Sequence, residues 1–469
     1  MRILFLSFLL SVSAGFAQTP CVGNTADGYP CEGFDLIAHF SLNDMNANDG
    51  NDSWGWVDPD SNIEYAIVGL DNGTAFFNLS DPVNPVYLGK LPTHTGSSFW
   101  RDIKVYQNHA FIVSDINGNH GMQVFDLTRL RNVASPPETF TEDFHYDLVG
   151  SCHNIAINED TGYAYLIGCD DFSGGPVFVN LSIPNSPVSA GGYAGSGYTH
   201  DAQIITYDGP DTDYIGKEIL FGSNEDRVVI VDVTNKANPQ LISTITYANT
   251  EYTHQGWLTE DRKYFMVGDE LDEIFAGIPN TRTLIFDVED LDNPSFSFEY
   301  FGPTPATDHN GYVKGDVFYM ANYNAGLRAI DISNIESGII TEIGYFDTYP
   351  SDNDTGYSGS WNVYPYLPSG NIIISGTNGF TLVRNPALNV EDIAQEVQLS
   401  IYPNPVNNEL NIELQNETIQ TVEVTNILGQ KMSSFSNLNV VNFVLDTSKY
   451  PSGMYVIHIN ETLVKKFMK

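Results

Sequence analysis

A short segment of one character recurs seven times along this chain, and that repeat limits the fold more than any other feature. The segments are Ser53-Trp54-Gly55-Trp56, Trp100-Arg101-Asp102-Ile103, Cys152-His153-Asn154-Ile155, Thr199-His200-Asp201-Ala202, Thr253-His254-Gln255-Gly256, Asp308-His309-Asn310-Gly311 and Ser360-Trp361-Asn362-Val363. Aligning Trp54, Arg101, His153, His200, His254, His309 and Trp361 gives separations of 47, 52, 47, 54, 55 and 52 residues. Apolar, β-branched or aromatic strands follow, such as Ile219-Leu220-Phe221 and then Val228-Val229-Ile230-Val231-Asp232. Several repeats then turn at Asn-Pro (Asn84-Pro85, Asn238-Pro239, Asn293-Pro294) before a fourth, outer strand. A fixed period of this length marks a repeat architecture, in which each unit buries its apolar faces only against its neighbours.

Four short strands in roughly fifty residues, with polar turns between them and almost no helical periodicity, predict one antiparallel sheet per repeat. Helices are missing where a βαβ fold needs them, and Asn, Gly and Pro stand there instead. The expected fold is all-β: a seven-bladed β-propeller over residues 18–386, then a small Ig-like β-sandwich. The seventh repeat ends near Phe380-Thr381-Leu382-Val383-Arg384 without a fourth strand. Residues 34–40 resemble the outer strands and are expected to supply it, so that no open edge remains.

The first residues decide the compartment. Arg2 precedes an uncharged apolar stretch over residues 3–16, and Gly15-Phe16-Ala17 carries the small residues that a signal peptidase reads. Residues 1–17 thus read as a signal peptide, too short to span a bilayer, and no transmembrane segment follows. Cysteine usage agrees with an oxidising compartment. Cys21 and Cys31 bracket a short loop, and Cys152 and Cys169 flank a hairpin turn at Asn158-Glu159-Asp160-Thr161-Gly162, so local pairing (21–31, 152–169) is favoured among the three connectivities. The net charge of −39 lies almost wholly in residues 18–397, which hold 53 acidic and 14 basic residues. Such a surface repels nucleic acid, whose phosphates need clustered Lys and Arg.

With these residues in view, Val228-Val229-Ile230-Val231-Asp232 resembles the LVIVD repeat, and residues 30–386 are similar to the propellers of the choice-of-anchor B family. The resemblance implies the fold and little about activity. Beyond a polar linker at 387–398 the pattern changes. The Tyr402-Pro403-Asn404-Pro405 opening, Asn426-Ile427-Leu428-Gly429-Gln430, Pro451-Ser452-Gly453-Met454-Tyr455-Val456-Ile457 and a Lys-rich end resemble the C-terminal sorting domain of type IX secretion substrates in Bacteroidota. That resemblance implies recognition of residues 399–469 by the outer-membrane translocon, with the product secreted or attached to the cell surface.

Chemistry is expected where the repeats converge. Innermost strands of a propeller line its channel, so Trp54, Arg101, His153, His200, His254, His309 and Trp361 are expected to form a ring. The four histidines could hold copper or zinc as neutral imidazoles. The same ring could instead be a water-filled polar lining, or a small-anion or sugar site using Arg101 and the tryptophans. Asn154, Asp201, Gln255 and Asn310 follow the histidines and point the other way along the strand, so they are expected to bridge neighbouring strands. Asp102 and the Asp269-Glu270 pair could serve as acid and base if the chain is an enzyme, although no spacing demands it. Acidic loops at 48–52, 58–60, 208–213 and 352–354 suit calcium by composition but lack the full EF-hand pattern. No nucleotide, hydrolase-elbow or metalloprotease fingerprint appears in its proper context. The favoured function is a secreted or cell-surface binding module with an unknown extracellular ligand; the alternatives are a copper- or zinc-dependent enzyme and a purely structural adhesin.

Overall fold

The computed structural model describes residues 18–386, 399–404, 406–414, 418–426, 430–451, 453–460 and 463–469. The expected signal peptide and linker lie outside these residues, as do Pro405, Ser452 and residues 427–429 of the tail motifs. The described residues divide into two compact units, one ending at Pro386 and one in the C-terminal part. Both are all-β, and helical turns are confined to four short pieces, Leu127–Asn132, Asp171–Gly174, Asp272–Ala276 and Ile335–Ser337. No described helix is long and apolar enough to cross a membrane.

The first unit holds seven sheets. Their first strands are Gly50–Val57, Arg101–Tyr106, Asn154–Asn158, Asp201–Thr206, Thr253–Leu258, Gly311–Lys314 and Ser360–Tyr364. The fourth sheet is typical: Asp201–Thr206, Glu218–Ser223, Val228–Asp232 and Gln240–Ile245 pair in sequence order, all antiparallel. Its two middle strands are buried along almost their whole length, whereas Gln240–Ile245 is largely exposed. The reason lies in the alternation of strand faces. Ile219 and Phe221 pack with Phe265 and Val267 of the fifth sheet, while Leu220 and Val229 pack with Tyr165 and Phe178 of the third. A strand apolar on both faces needs a neighbour on each side, which explains the unbroken apolar runs.

The same packing joins every pair of successive sheets. Ile67 and Phe76 of the first meet Ile112 and Phe125 of the second, which in turn packs Val113 and Val124 on Ile155 and Leu166 of the third. Met266 and Ile285 of the fifth meet Phe318 and Ile330 of the sixth, and Ala321 and Ala329 of the sixth meet Ile372 and Val383 of the seventh. Finally Ile373 and Leu382 of the seventh pack on Ala66 and Val68 of the first.

The seventh sheet takes its outer strand from the start of the chain. Asp35–Phe40 pairs antiparallel with Gly379–Arg384, and His39 Nδ1 lies 2.9 Å from Thr381 Oγ1 across 342 residues of sequence. The segment just before it goes elsewhere. A hairpin of Thr25–Ala26 and Tyr29–Glu32 extends the sixth sheet, with Cys31 opposite Phe346. The loop closed by Cys21–Cys31 therefore caps the outer edge of the sixth sheet, while Cys21 N–H donates to Asp35 of the seventh.

The second disulfide, Cys152–Cys169, ties the ends of the hairpin formed by Asn154–Asn158 and Tyr163–Ile167. Replacing both cysteines by serine is expected to cost about 3 kcal/mol, the chain entropy of a loop of this length. Urea unfolding of the double variant would measure it, and an unchanged midpoint would contradict the expectation.

In the second unit, Leu399–Tyr402, Glu409–Leu414 and Asn442–Asp446 form one antiparallel sheet, and Lys431–Phe435, Val422–Asn426, Met454–Ile459 and Leu463–Met468 form another. They share one apolar core that includes Leu410, Ile412, Val424, Leu445, Ile457 and Phe467.

Candidate functional site

The first strands of the seven sheets are stitched to one another near their starts. Asn51 Nδ2 donates to Phe99 O, the Asp102 carboxylate accepts from Ile155 N–H, and Asn154 Nδ2 donates to His200 O. His200 Nδ1 donates to His254 O at 3.0 Å, and the Gln255 amide both gives to and takes from Gly311. Asn310 Nδ2 reaches Asn362 Oδ1, and Asn362 Nδ2 donates to Ser53 O at 2.7 Å. The amide side chains after three of the histidines thus bridge neighbouring strands.

One position ahead of this bridging layer stand Arg101, His153, His200, His254, His309 and Trp361. The imidazoles come from four successive repeats and lie side by side, with centroids 4.3 Å apart for His153–His200, His200–His254 and His254–His309. Trp361 continues the row at 4.8 Å from His309. All four histidines and Trp361 wall a cavity of about 370 Å³ that Asp49, Phe99, Trp100, Glu270, Tyr323, Tyr357 and Thr377 complete. Arg101 lies at the same station but deeper. It is 2 % exposed, with Nε donating to Leu70 O, Nη1 3.2 Å from His120 Nε2, and Nη2 unpartnered.

Trp54 does not join the row. It packs on Tyr312 and Tyr364 with Lys104 over its ring, and it lines a second cavity of about 540 Å³ further along the same strands. Local hydrogen bonding identifies the correct equivalent. Asp52, Asp102 and Asp201 each accept from the next residue's N–H at 2.6 Å, so Asn51 is the counterpart of Arg101 and His200. Trp54 lies three residues beyond that station, further along the first strand.

Burial governs the electrostatics of the wall. Desolvation, then the neighbouring histidines, hold His200 and His254 well below the ordinary imidazole range, and His309 is pushed down to about 3 by burial. These three rings are neutral at physiological pH. A carbonyl can only accept, so the hydrogens of His200 and His309 sit on Nδ1, facing His254 O and Trp361 O. Their Nε2 lone pairs are left free. His153 Nδ1 lies 3.0 Å from the Asp115 carboxylate, and His254 Nδ1 is buried without a partner.

With Asp49, Glu270 is one of the two acids that line the cavity. Burial raises its carboxyl to about 7. Its Oε1 accepts from Tyr323 O–H at 2.8 Å, and its two oxygens lie 3.8 Å from His254 Nε2 and 3.9 Å from His309 Nε2. Of the other two expected acids, Asp102 lies one layer down, paired with Lys104 at 2.6 Å, and Asp269 accepts from Tyr247 O–H and from the N–H groups of Glu251 and Tyr252. Asp115, Glu270, Tyr323 and Thr377 sit in the loops after the second strands of their sheets. That shared placement was the available sequence signal for them, and only Glu270 was singled out from it.

Among the described residues, two further groups bring three metal-capable side chains together: His94, Glu142 and His145, and Asp211, Asp290 and Asp292. Carboxylates in the acidic loops largely bond their own backbone, with Asp58, Asp211 and Asp352 each accepting from the N–H two residues on. Arg131 also grips Asp58 through two nitrogens.

A search of the curated proteins finds no match. Solved structures to which the chain is similar include the following three. PorZ, an essential bacterial surface component of the type-IX secretion system of Porphyromonas gingivalis, is 11% identical with a TM-score of 0.45, over 90% of this chain and 59% of that one. The chain thus spans less than two thirds of that structure's length. A functionally unknown protein from Desulfotomaculum acetoxidans is 12% identical with a TM-score of 0.45, over 65% of this chain and 87% of that one. Kuenenia stuttgartiensis hydrazine synthase is 12% identical with a TM-score of 0.50, over 71% of this chain and 95% of that one. Residues 400–469 match the family described as the secretion system C-terminal sorting domain. The chain therefore ends in a type IX sorting domain that directs it to the cell surface or the extracellular space, where its two disulfides fit.

Proposed function

We propose that residues 18–386 are a seven-bladed β-propeller of the LVIVD, choice-of-anchor B kind, and that it works by binding, with the histidine-walled cavity as its ligand site. The carrying observation is the row of four imidazoles from four successive repeats along one cavity wall. Packing of each sheet on the next, and of the seventh on the first, supports the propeller. Residues 399–469 form a separate sorting domain with a sandwich-like core. Aromatic rings with a few convergent polar groups are the usual make-up of a small-molecule site. The test is a crystallographic soak of the mature protein with a library of small polar fragments. Density against His200 or His254 is the expected result. Fragments found only in the second cavity, or on outer sheet edges, would sink the reading and favour an adhesin.

A metal-dependent enzyme is the second reading, and one observation favours it. Glu270, with its carboxyl near 7, faces two imidazoles inside the cavity, which suits a general acid or base.

A further inference from the structure

We propose that His254, His309 and Glu270 together bind one zinc ion, through the two Nε2 atoms and the carboxylate, leaving the remaining coordination positions open to the cavity. The inference rests on the reading of that cavity as the ligand site and names what it holds first.

Convergence is the primary argument. The ligand atoms of these three residues lie within 4.8 Å of one another. The carboxylate oxygens stand 3.8 Å and 3.9 Å from the two Nε2 atoms. Two ligands at tetrahedral zinc are about 3.4 Å apart, given bonds near 2.1 Å, so the carboxylate stands within a few tenths of an ångström of the spacing an ion needs to each imidazole. The rings come from the starts of adjacent sheets, and their planes are already inclined by 47°, so their lone pairs can meet at a point.

Orientation is the second argument. A ligating histidine is normally fixed by a hydrogen bond from its other ring nitrogen. His309 has that bond, Nδ1 to Trp361 O. Glu270 is held likewise by Tyr323 O–H on Oε1. A buried carboxylate flanked by two imidazoles at distances too long for hydrogen bonds is otherwise poorly compensated, and a dication between them would complete its contacts.

Donor type then selects the ion. Two imidazoles and a carboxylate form the set of open zinc sites, whereas calcium and magnesium favour oxygen throughout. The convergent set leaves out the other two histidines, since His153 and His200 are not among the residues whose ligand atoms lie within 4.8 Å of one another there. A centre built from all four imidazoles is therefore replaced by one built from two and Glu270.

The experiment is calorimetric titration of the chelator-treated mature protein with zinc chloride at neutral pH. One equivalent per chain is expected. His309→Ala and Glu270→Gln should each weaken binding by about a hundredfold or more, since even outer-shell changes cost about 10–100-fold. His153→Ala should leave the equivalent in place. His145→Ala, which breaks the group with His94 and Glu142, should do so too. Thermal melts establish that each variant is folded. No stoichiometric zinc binding by folded protein overturns the proposal, as does binding that survives both Glu270→Gln and His309→Ala. The fragment soak separates the two readings. Fragments in the cavity without zinc binding would sink the metal alone, whereas a cavity that takes neither would sink both.

Discussion

Replacing Arg282 by Met is expected to destabilise the first unit by about 3–5 kcal/mol at pH 8, as removal of one partner from a buried ion pair typically does. Arg282 is 2 % exposed, and its Nε donates to Asp272 at 2.6 Å while Nη1 and Nη2 donate to Ala248 O and Asn249 O. Around it lie Asp272, Glu273 and Asp308, all buried, each with one carboxyl oxygen lacking a partner. Burial raises Asp272 to about 7 and Glu273 to about 11. The folded state consequently holds more protons than the unfolded chain from the ordinary carboxyl range up to about pH 7 through Asp272 and up to about pH 11 through Glu273. Stability falls as pH rises through that window. In the variant the uncompensated charge disappears once Asp272 is protonated, so the deficit should shrink markedly at pH 5. Urea unfolding at both pH values measures this, and an equal loss at each would refute the account.

Asn362→Ala should cost about 2–4 kcal/mol by the same measurement, because orphaned buried polar groups cost about 1–3 kcal/mol each. Asn362 is fully buried, donates to Asp52 at 2.5 Å and to Ser53 O at 2.7 Å, and accepts from Asn310. The substitution takes a partner from two neighbouring sheets at once, the first through Asp52 and Ser53 and the sixth through Asn310, at their junction with the seventh. A loss below 1 kcal/mol would mean that this polar layer contributes little to closure.

Much of the architecture was legible before any coordinates. Strands such as Tyr163–Ile167 and Val228–Asp232 announce themselves by β-branched and aromatic runs between turn residues, and each occupies the middle of a sheet. Five of the seven expected residues line one cavity, and Arg101 lies at the same station without lining it. Trp54 failed for a definable reason: aromatic likeness to Trp361 guided the alignment, whereas the position is marked by the Asp, Asn or Gln that follows it. Glu270 and Tyr323 belong to loops whose meeting with His254 and His309 depends on how successive sheets pack, which local pattern does not encode. The local pairing of Cys21 with Cys31 was legible, but not the pairing of their loop with Ile339–Phe346, because any exposed strand edge could have received it.

The position of Gly379–Arg384 has a mechanical consequence. This strand is the last of its unit, and it is clasped on both flanks, by Asn371–Gly376 and by Asp35–Phe40. A tug on the chain beyond Pro386 must therefore shear two ladders together, where a terminal strand lying at a rim could be peeled away bond by bond. One of those ladders is made by the opposite terminus, so the sheet behaves as a buckle: traction at the tail is borne by the head.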